Sequence, residues 1–238
     1  MAWEQVKLRD ASMTRTPGIR LSPAFQRFFD TACSAAGLLF LAPVLAGIAL
    51  VIMLDDGLPV FFTQTRVGRK GKPFRIWKFR TMRCCGRHGS VITAAGDDRI
   101  TRAGARLRKY KLDELPQLFN VFKGDMSLVG PRPEVPEHVC VEAAEWQTVL
   151  HVRPGITDLA TLVYRDEERI LGASGDPDTL YRESVLPAKL LLNIAYLVSR
   201  SFLLDLKLIF LTIRSSFFAE SLDPDLIKRT FGAGVSHE

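Results

Sequence analysis

An adjacent carboxylate pair, Asp113-Glu114, stands between two sets of cations. Upstream lie Arg106, Arg108, Lys109 and Lys111; downstream come Arg132, inside Gly-Pro-Arg-Pro, and Arg153, inside Arg-Pro-Gly-Ile-Thr. An acidic pair alone means little, because carboxylates at helix starts commonly serve as caps for open backbone N–H groups. The surrounding cations point further. Diphosphate chemistry requires fixed guanidinium forks, a divalent cation to neutralise oxygens, and carboxylates that hold that cation or attack phosphorus. The sequence supplies the forks and the carboxylates. Proline on both sides of Arg132 restricts the backbone that carries it, so less entropy is lost when its side chain meets a phosphate. A rigid surface turn would use the same three residues.

Positioning the pair falls to two expected helices, a short basic one over residues 100–109 and a second over about 113–123, stopped by Gly124. Pro116 fits only in a first turn, which places Asp113 and Glu114 at the helix N-terminus, where the macrodipole favours carboxylates and bound phosphate. Leu115, Leu118, Phe119 and Phe122 fall at i, i+3, i+4 and i+7, predicting one apolar stripe against the core. A further helix is expected over residues 134–150, ended before Pro154. Residues 60–67 and 74–81 are β-prone and joined by a Gly- and Lys-rich turn, which predicts a hairpin. Residues 83–98 read as loop, and Cys84, Cys85 and His88 within it are assigned no role.

From Thr31 to Leu54 the chain runs 24 residues without a charge. As one straight helix this would be about 36 Å, enough to span roughly 30 Å of hydrocarbon. Pro43 near its middle predicts a kink. Lys7, Arg9, Arg15, Arg20 and Arg27 precede the run, and Arg66, Arg69, Lys70, Lys72, Arg75, Lys78 and Arg80 follow it. Cations on both flanks favour one shared, cytoplasmic side, hence a helix that enters, breaks at Ala42-Pro43 and returns. An ordinary kinked spanning helix is the alternative. Residues 186–218 are apolar but interrupted by Lys189, Arg200, Asp205, Lys207 and Arg214, so they read as amphipathic helices at the interface or on the core.

The chain has 238 residues, is 47% hydrophobic and carries a formal charge of +6. One catalytic domain with a membrane element is the natural expectation. Residues 1–83 hold 13 Lys and Arg against 5 Asp and Glu, and the remainder hold 19 against 21. This N-terminal excess, beside the apolar run and without a nucleic-acid motif, suits an anionic membrane surface. The four cysteines show no ligand spacing, which argues against a zinc site or a disulfide framework.

The stretch Leu112-Asp-Glu-Leu-Pro-Gln-Leu-Phe-Asn-Val-Phe-Lys-Gly-Asp-Met-Ser-Leu-Val-Gly-Pro-Arg-Pro133 resembles the signature of the bacterial sugar transferases, the monotopic phosphoglycosyl transferases. The resemblance extends to Trp77-Lys-Phe-Arg-Thr-Met82, to Arg153-Pro-Gly-Ile-Thr157 and to Asp205-Leu-Lys-Leu-Ile209. It implies a Mg²⁺-dependent two-step reaction at the cytoplasmic face of a bacterial inner membrane. Asp113 would attack the β-phosphate of a UDP-sugar, release UMP and hold the sugar phosphate covalently. A polyprenyl (undecaprenyl) phosphate would then displace it, as the first membrane step of surface glycan synthesis. Asp113 would also touch the metal, Glu114 would assist by metal or proton handling, and Lys78, Arg80, Arg108, Arg132 and Arg153 would grip phosphate or nucleotide.

The expected fold is α+β and mostly helical, with a re-entrant helix pair, a small β-hairpin and amphipathic interfacial helices. Its expected divisions are a basic segment (1–27), the membrane hairpin broken at Pro43 (28–56), a catalytic domain (57–222) and a tail (223–238), the minimal form of the family. Expected partners are UDP-sugar, undecaprenyl phosphate and membrane lipids, not nucleic acid; homodimerisation stays open. The chain departs from the family pattern with Ala42 where serine often precedes the proline, Tyr110-Lys111 before the dyad, and Asp158 where glycine is common. Two other readings compete: a lipid-bound scaffold, which leaves Asp113-Glu114 without a role, and a soluble nucleotidyltransferase whose apolar run is a core helix.

Overall fold

The computed structural model describes residues 22–83 and 97–218. Helix α1 (Pro23–Phe40) starts at Ser22, whose hydroxyl accepts from the Phe25 amide, with proline at the first position. After Leu41 the chain turns by 60° into α2 (Ala42–Asp56). Pro43 lies in the first turn of α2, where its missing N–H leaves no helical acceptor unmatched. The break therefore falls where the sequence places it. Among the described residues no single helix is long and apolar enough to cross a membrane, but the bent pair passes by length and composition together.

Helix α2 buries only Ile52, which packs with Phe79 and Leu107. Leu45, Ile48 and Ala49 are half-buried against the same cluster, while Val44, Leu50, Val51, Met53 and Leu54 are exposed, an outward face that continues onto Leu39 and Phe40 of α1, which are 73% and 79% exposed. An apolar patch of this extent marks an interaction surface rather than ordinary exterior.

Strands β1 (Phe61–Val67) and β2 (Pro73–Phe79) form the expected antiparallel hairpin, with Phe61 opposite Phe79 and Val67 opposite Pro73. Helix α3 (Arg102–Lys109) is capped by Thr101, whose side chain accepts from the Gly104 amide at 2.9 Å. The next expected helix is instead a 3-10 turn over Leu112–Glu114 followed by α4 (Gln117–Lys123), which ends at Gly124 in a left-handed conformation (φ 101°).

The direction of the α4 stripe is corrected by the structure. Phe119 and Phe122 are 46% and 45% exposed, while Gln117, Asn120 and Val121 are buried. The inward face is polar because Asn120 serves as a rivet to β2, donating to the Arg75 carbonyl at 2.8 Å and accepting from the Trp77 amide at 3.0 Å. The apolar stripe turns to α1, where Leu118 lies 3.2 Å from the position of a Cβ on Gly37. Arg27 of α1 completes this junction by donating to the Val121 and Phe122 carbonyls at 2.6 and 2.8 Å, which satisfies the open C-terminal end of α4.

The helix expected over 134–150 is also corrected. Only a turn at Pro136–His138 and α5 (Ala144–Leu150) form. Pro131, Pro133 and Pro136 disfavour helical backbone at the residues that precede them, and Glu134 between them is drawn into the interior, where its carboxylate accepts from the Tyr181 hydroxyl at 2.9 Å. Strands β3 (Ser127–Val129) and β4 (Gly155–Thr157) pair in parallel.

Short helices α6 (Leu159–Val163), α7 (Glu167–Gly172) and α8 (Pro177–Leu180) lead to α9 (Leu186–Ser199) and α10 (Phe202–Phe218). Leu208 and Leu211 of α10 enter the largest core cluster with Leu159, Ala160, Leu192 and Tyr196. Leu203, Leu206, Phe210, Ile213 and Phe217 of the same helix stay exposed. The segment therefore packs on the core along one face of α10 and leaves a second apolar face exposed. The architecture is α+β and mostly helical, as expected. Cys84, Cys85, His88, the first cations of the chain and the residues after 218 lie outside the described residues.

Candidate active site

The 3-10 turn before α4 sets Asp113 and Glu114 into the interior, 8% and 7% exposed. Two cations from different elements converge on Glu114. Lys78 of β2 donates to its Oε1 at 2.8 Å. Arg132 grips both oxygens, Nη1 reaching Oε2 at 3.2 Å and Nη2 reaching Oε1. This fork matches carboxylate geometry and would match a phosphate equally well.

Arg132 is aimed by its backbone. Its amide donates to Asp158 Oδ2 at 2.9 Å, and the same carboxylate caps α6 through the Thr161 amide at 2.6 Å. The loops carrying Gly-Pro-Arg-Pro and Arg-Pro-Gly cross in direct contact: a Cβ on Gly155 would lie 2.1 Å from the Gly130 nitrogen, and one on Gly130 would lie 2.6 Å from the Arg153 carbonyl oxygen. Glycine is required at both positions by this approach.

The two carboxylates are driven apart electrostatically. Burial and the neighbouring Glu114 charge raise the Asp113 pKa, against the pull of Lys78, Lys111 and Arg108. Burial alone would raise Glu114 too, but Arg132 and Lys78 overcome it and hold that group well below the usual range. Glu114 therefore stays ionised and is a poor proton carrier. Asp113 holds its proton more tightly than a free aspartate, and its Oδ1 is buried without a hydrogen-bond partner.

Not every expected phosphate ligand reaches this point. Arg108 acts electrostatically on Asp113, while its guanidinium is forked onto Glu168 of α7 at 2.5 and 3.1 Å. Arg80 fastens the exit of α2, donating to the Asp56 and Gly57 carbonyls at 2.7 and 2.8 Å. Arg153 points to the end of α4, where its Nε donates to the Gly124 carbonyl at 3.0 Å, and the charges acting on it are Arg27, Arg69 and Asp30. Its motif aids the site through the glycine crossing instead. The sequence reading counted Lys111 only as one of the cations near the dyad, not as the residue whose left-handed backbone (φ 56°) turns the chain into it, and gave no role to Asp158 as the anchor of Arg132. An aspartate just before a short apolar run was the available signal for Asp158.

Among the described residues no three His, Cys, Asp or Glu side chains stand close enough to cage a metal. Asp113 with Glu114 nevertheless fits a hard divalent cation of the kind that takes one or two carboxylates and completes its shell with substrate phosphates.

The family model described as bacterial sugar transferase matches residues 21–219. An Escherichia coli K12 protein named UDP-glucose:undecaprenyl-phosphate glucose-1-phosphate transferase is 37% identical over 207 residues, covering 85% of this chain and 42% of that protein. A Caulobacter vibrioides protein of the same name is 38% identical, covering 80% of this chain and 68% of that one. The exopolysaccharide production protein PSS of Rhizobium leguminosarum bv. phaseoli is 37% identical, with 80% and 94% covered. The chain spans less than half of several longer relatives, 42% of one from Klebsiella pneumoniae and 36% of one from Komagataeibacter xylinus. Because the match runs through the bent helix pair, the carboxylate dyad and both Gly-Pro loops, the chain belongs to the bacterial sugar transferase family.

Proposed function

We propose that the chain transfers a sugar 1-phosphate from a UDP-sugar to polyprenyl phosphate through a phosphosugar ester of Asp113. The observation that carries this reading is the divided dyad: one buried carboxylate with an unpartnered oxygen, beside a second that is ionised and clamped by Lys78 and Arg132. In the first step a carboxylate oxygen of Asp113 bonds to the β-phosphorus, the bond to the bridging oxygen breaks, and UMP leaves with the electron pair. In the second a polyprenyl phosphate oxygen attacks the same phosphorus, and the Asp113 carboxylate departs.

Lys78 and Arg132 are placed to share their charge between Glu114 and the transferring phosphoryl group, and Arg108 to exchange Glu168 for a substrate phosphate. Preorganised cations of this kind stabilise the charge that builds on the phosphoryl oxygens. Asp113 and Glu114 would hold Mg²⁺, which when bound supplies neutralisation of the diphosphate.

Purified protein in detergent is expected to release UMP from at least one member of a UDP-sugar panel when Mg²⁺ and undecaprenyl phosphate are supplied, and to stop when EDTA is added. Failure of every donor sinks the activity; turnover unaffected by EDTA sinks the metal alone. The relatives' names direct the panel first to UDP-glucose and the product to surface glycan synthesis.

The reading also places the chain in the inner membrane at its cytoplasmic face, with α1 and α2 dipping in and returning. The apolar legs, residues 31–40 and 42–54, measure about 15 and 20 Å, each short of a hydrocarbon core of roughly 30 Å. Single cysteines at Ser12 and Lys72, in a background lacking the native ones, should label from the same side of sealed inverted vesicles. Opposite sides would mean that the pair spans.

A further inference from the structure

Gln117 is completely buried, yet neither its Nε2 nor its Oε1 has a hydrogen-bond partner. An amide left in this condition has lost its hydrogen bonds to water without gaining any in return. The backbone is right-handed at Leu115 and Pro116, between the 3-10 turn and α4. Gln117 therefore stands about one turn beyond Asp113 and Glu114 and one turn before Asn120 and Val121, on a single buried face.

Both ends of that face are tied to β2. Asn120 bonds the backbone at Arg75 and Trp77, and Glu114 bonds the Lys78 side chain. Asn120 shows what a structural amide does here: its donor and its acceptor are both engaged. Gln117, between these anchors, engages neither. The nucleophile candidate one turn away carries the matching orphan, the buried Asp113 Oδ1.

We propose that Gln117 is a positioning residue for Asp113, its Nε2 donating to Oδ1 of the ionised carboxylate while its Oε1 accepts from the Lys78 ammonium. This rests on Asp113 being the nucleophile. With Oδ1 held, Oδ2 is left as the attacking atom in a single orientation. When Oδ2 bonds to phosphorus, Oδ1 becomes the carbonyl oxygen of the acyl phosphate and still accepts from the same N–H. No donor has to be exchanged during the step.

The test uses the full chain in detergent, with Gln117→Leu and the isosteric Gln117→Glu. Gln117→Leu is expected to lower kcat on the order of 10²-fold, the scale of a lost oriented donor, with KM changed less than about threefold. Its acid limb in kcat/KM should move to higher pH, because Asp113 loses a group that favours its charge. Gln117→Glu donates only when protonated, so its optimum should fall at lower pH than that of the wild type. Wild-type kcat and pH profile in Gln117→Leu, or equal losses at every pH in both variants, would overturn the proposal in favour of packing alone.

Ligand-free protein gives an independent readout. Gln117→Leu should change the pH dependence of melting, and the change should disappear when Asp113→Asn is also present. Persistence of that change in the double variant would equally overturn it. A wild type that turns over no donor would refute the transferase reading separately, leaving the melting experiment to decide the hydrogen bond.

Discussion

Asp113→Asn is expected to lower UMP release by at least about 10³-fold while the protein melts at the same temperature or higher. The loss follows because an amide oxygen cannot form the phosphosugar ester, and the remaining cations can only bind and polarise. The gain in stability follows from the raised pKa of Asp113. The folded state binds its proton more tightly than the unfolded chain, so stability falls as pH rises between the unfolded and folded pKa values. Asparagine removes that slope. Melting curves across pH, together with peptide masses from turnover trapped by rapid acid quench, check both halves. If the peptide bearing residue 113 never gains a phosphohexose while product forms, the covalent mechanism is wrong.

Substitution of Arg132 should harm both stability and rate. Arg132→Ala leaves Glu114 buried with Lys78 as its remaining hydrogen-bonded cation, and breaking a buried pair in this way costs about 3–5 kcal/mol. Glu114 titrates well below its ordinary value, so it stabilises the fold above the unfolded pKa and that contribution is lost as pH falls through the folded one. Without Arg132 its pKa rises, and acid unfolding should begin at higher pH. Arg132→Lys keeps a charge but not the fork, so it should recover much of the stability and little of the rate, with kcat down about 10²-fold. Full activity in the lysine variant would show that bidentate contact is not used.

Much of the site was legible because it is local. Pro43 and Gly124 act within one turn of chain, and break or end helices whatever packs around them. The hairpin followed in the same way from two β-prone runs and the turn between them. Even the dyad was readable, since neighbours in sequence must be neighbours in space.

Which cations meet the dyad was not legible. Lys78, near the end of β2, and Arg80, just past it, are two residues apart, yet the first holds Glu114 and the second fastens α2. Arg153 looked equivalent to Arg132, but the glycine crossing turns one toward the carboxylates and the other toward the end of α4. The α4 stripe obeyed helical period and still faced the opposite way, because period identifies a face without saying which neighbour will cover it. The sequence by itself determined the helix break, the hairpin, the chemical inventory and the family. Only the tertiary structure decided the pairings, because a charge 18 residues or more along the chain from Glu114 is brought to it, or kept from it, by strand register and loop crossing rather than by anything in its own segment.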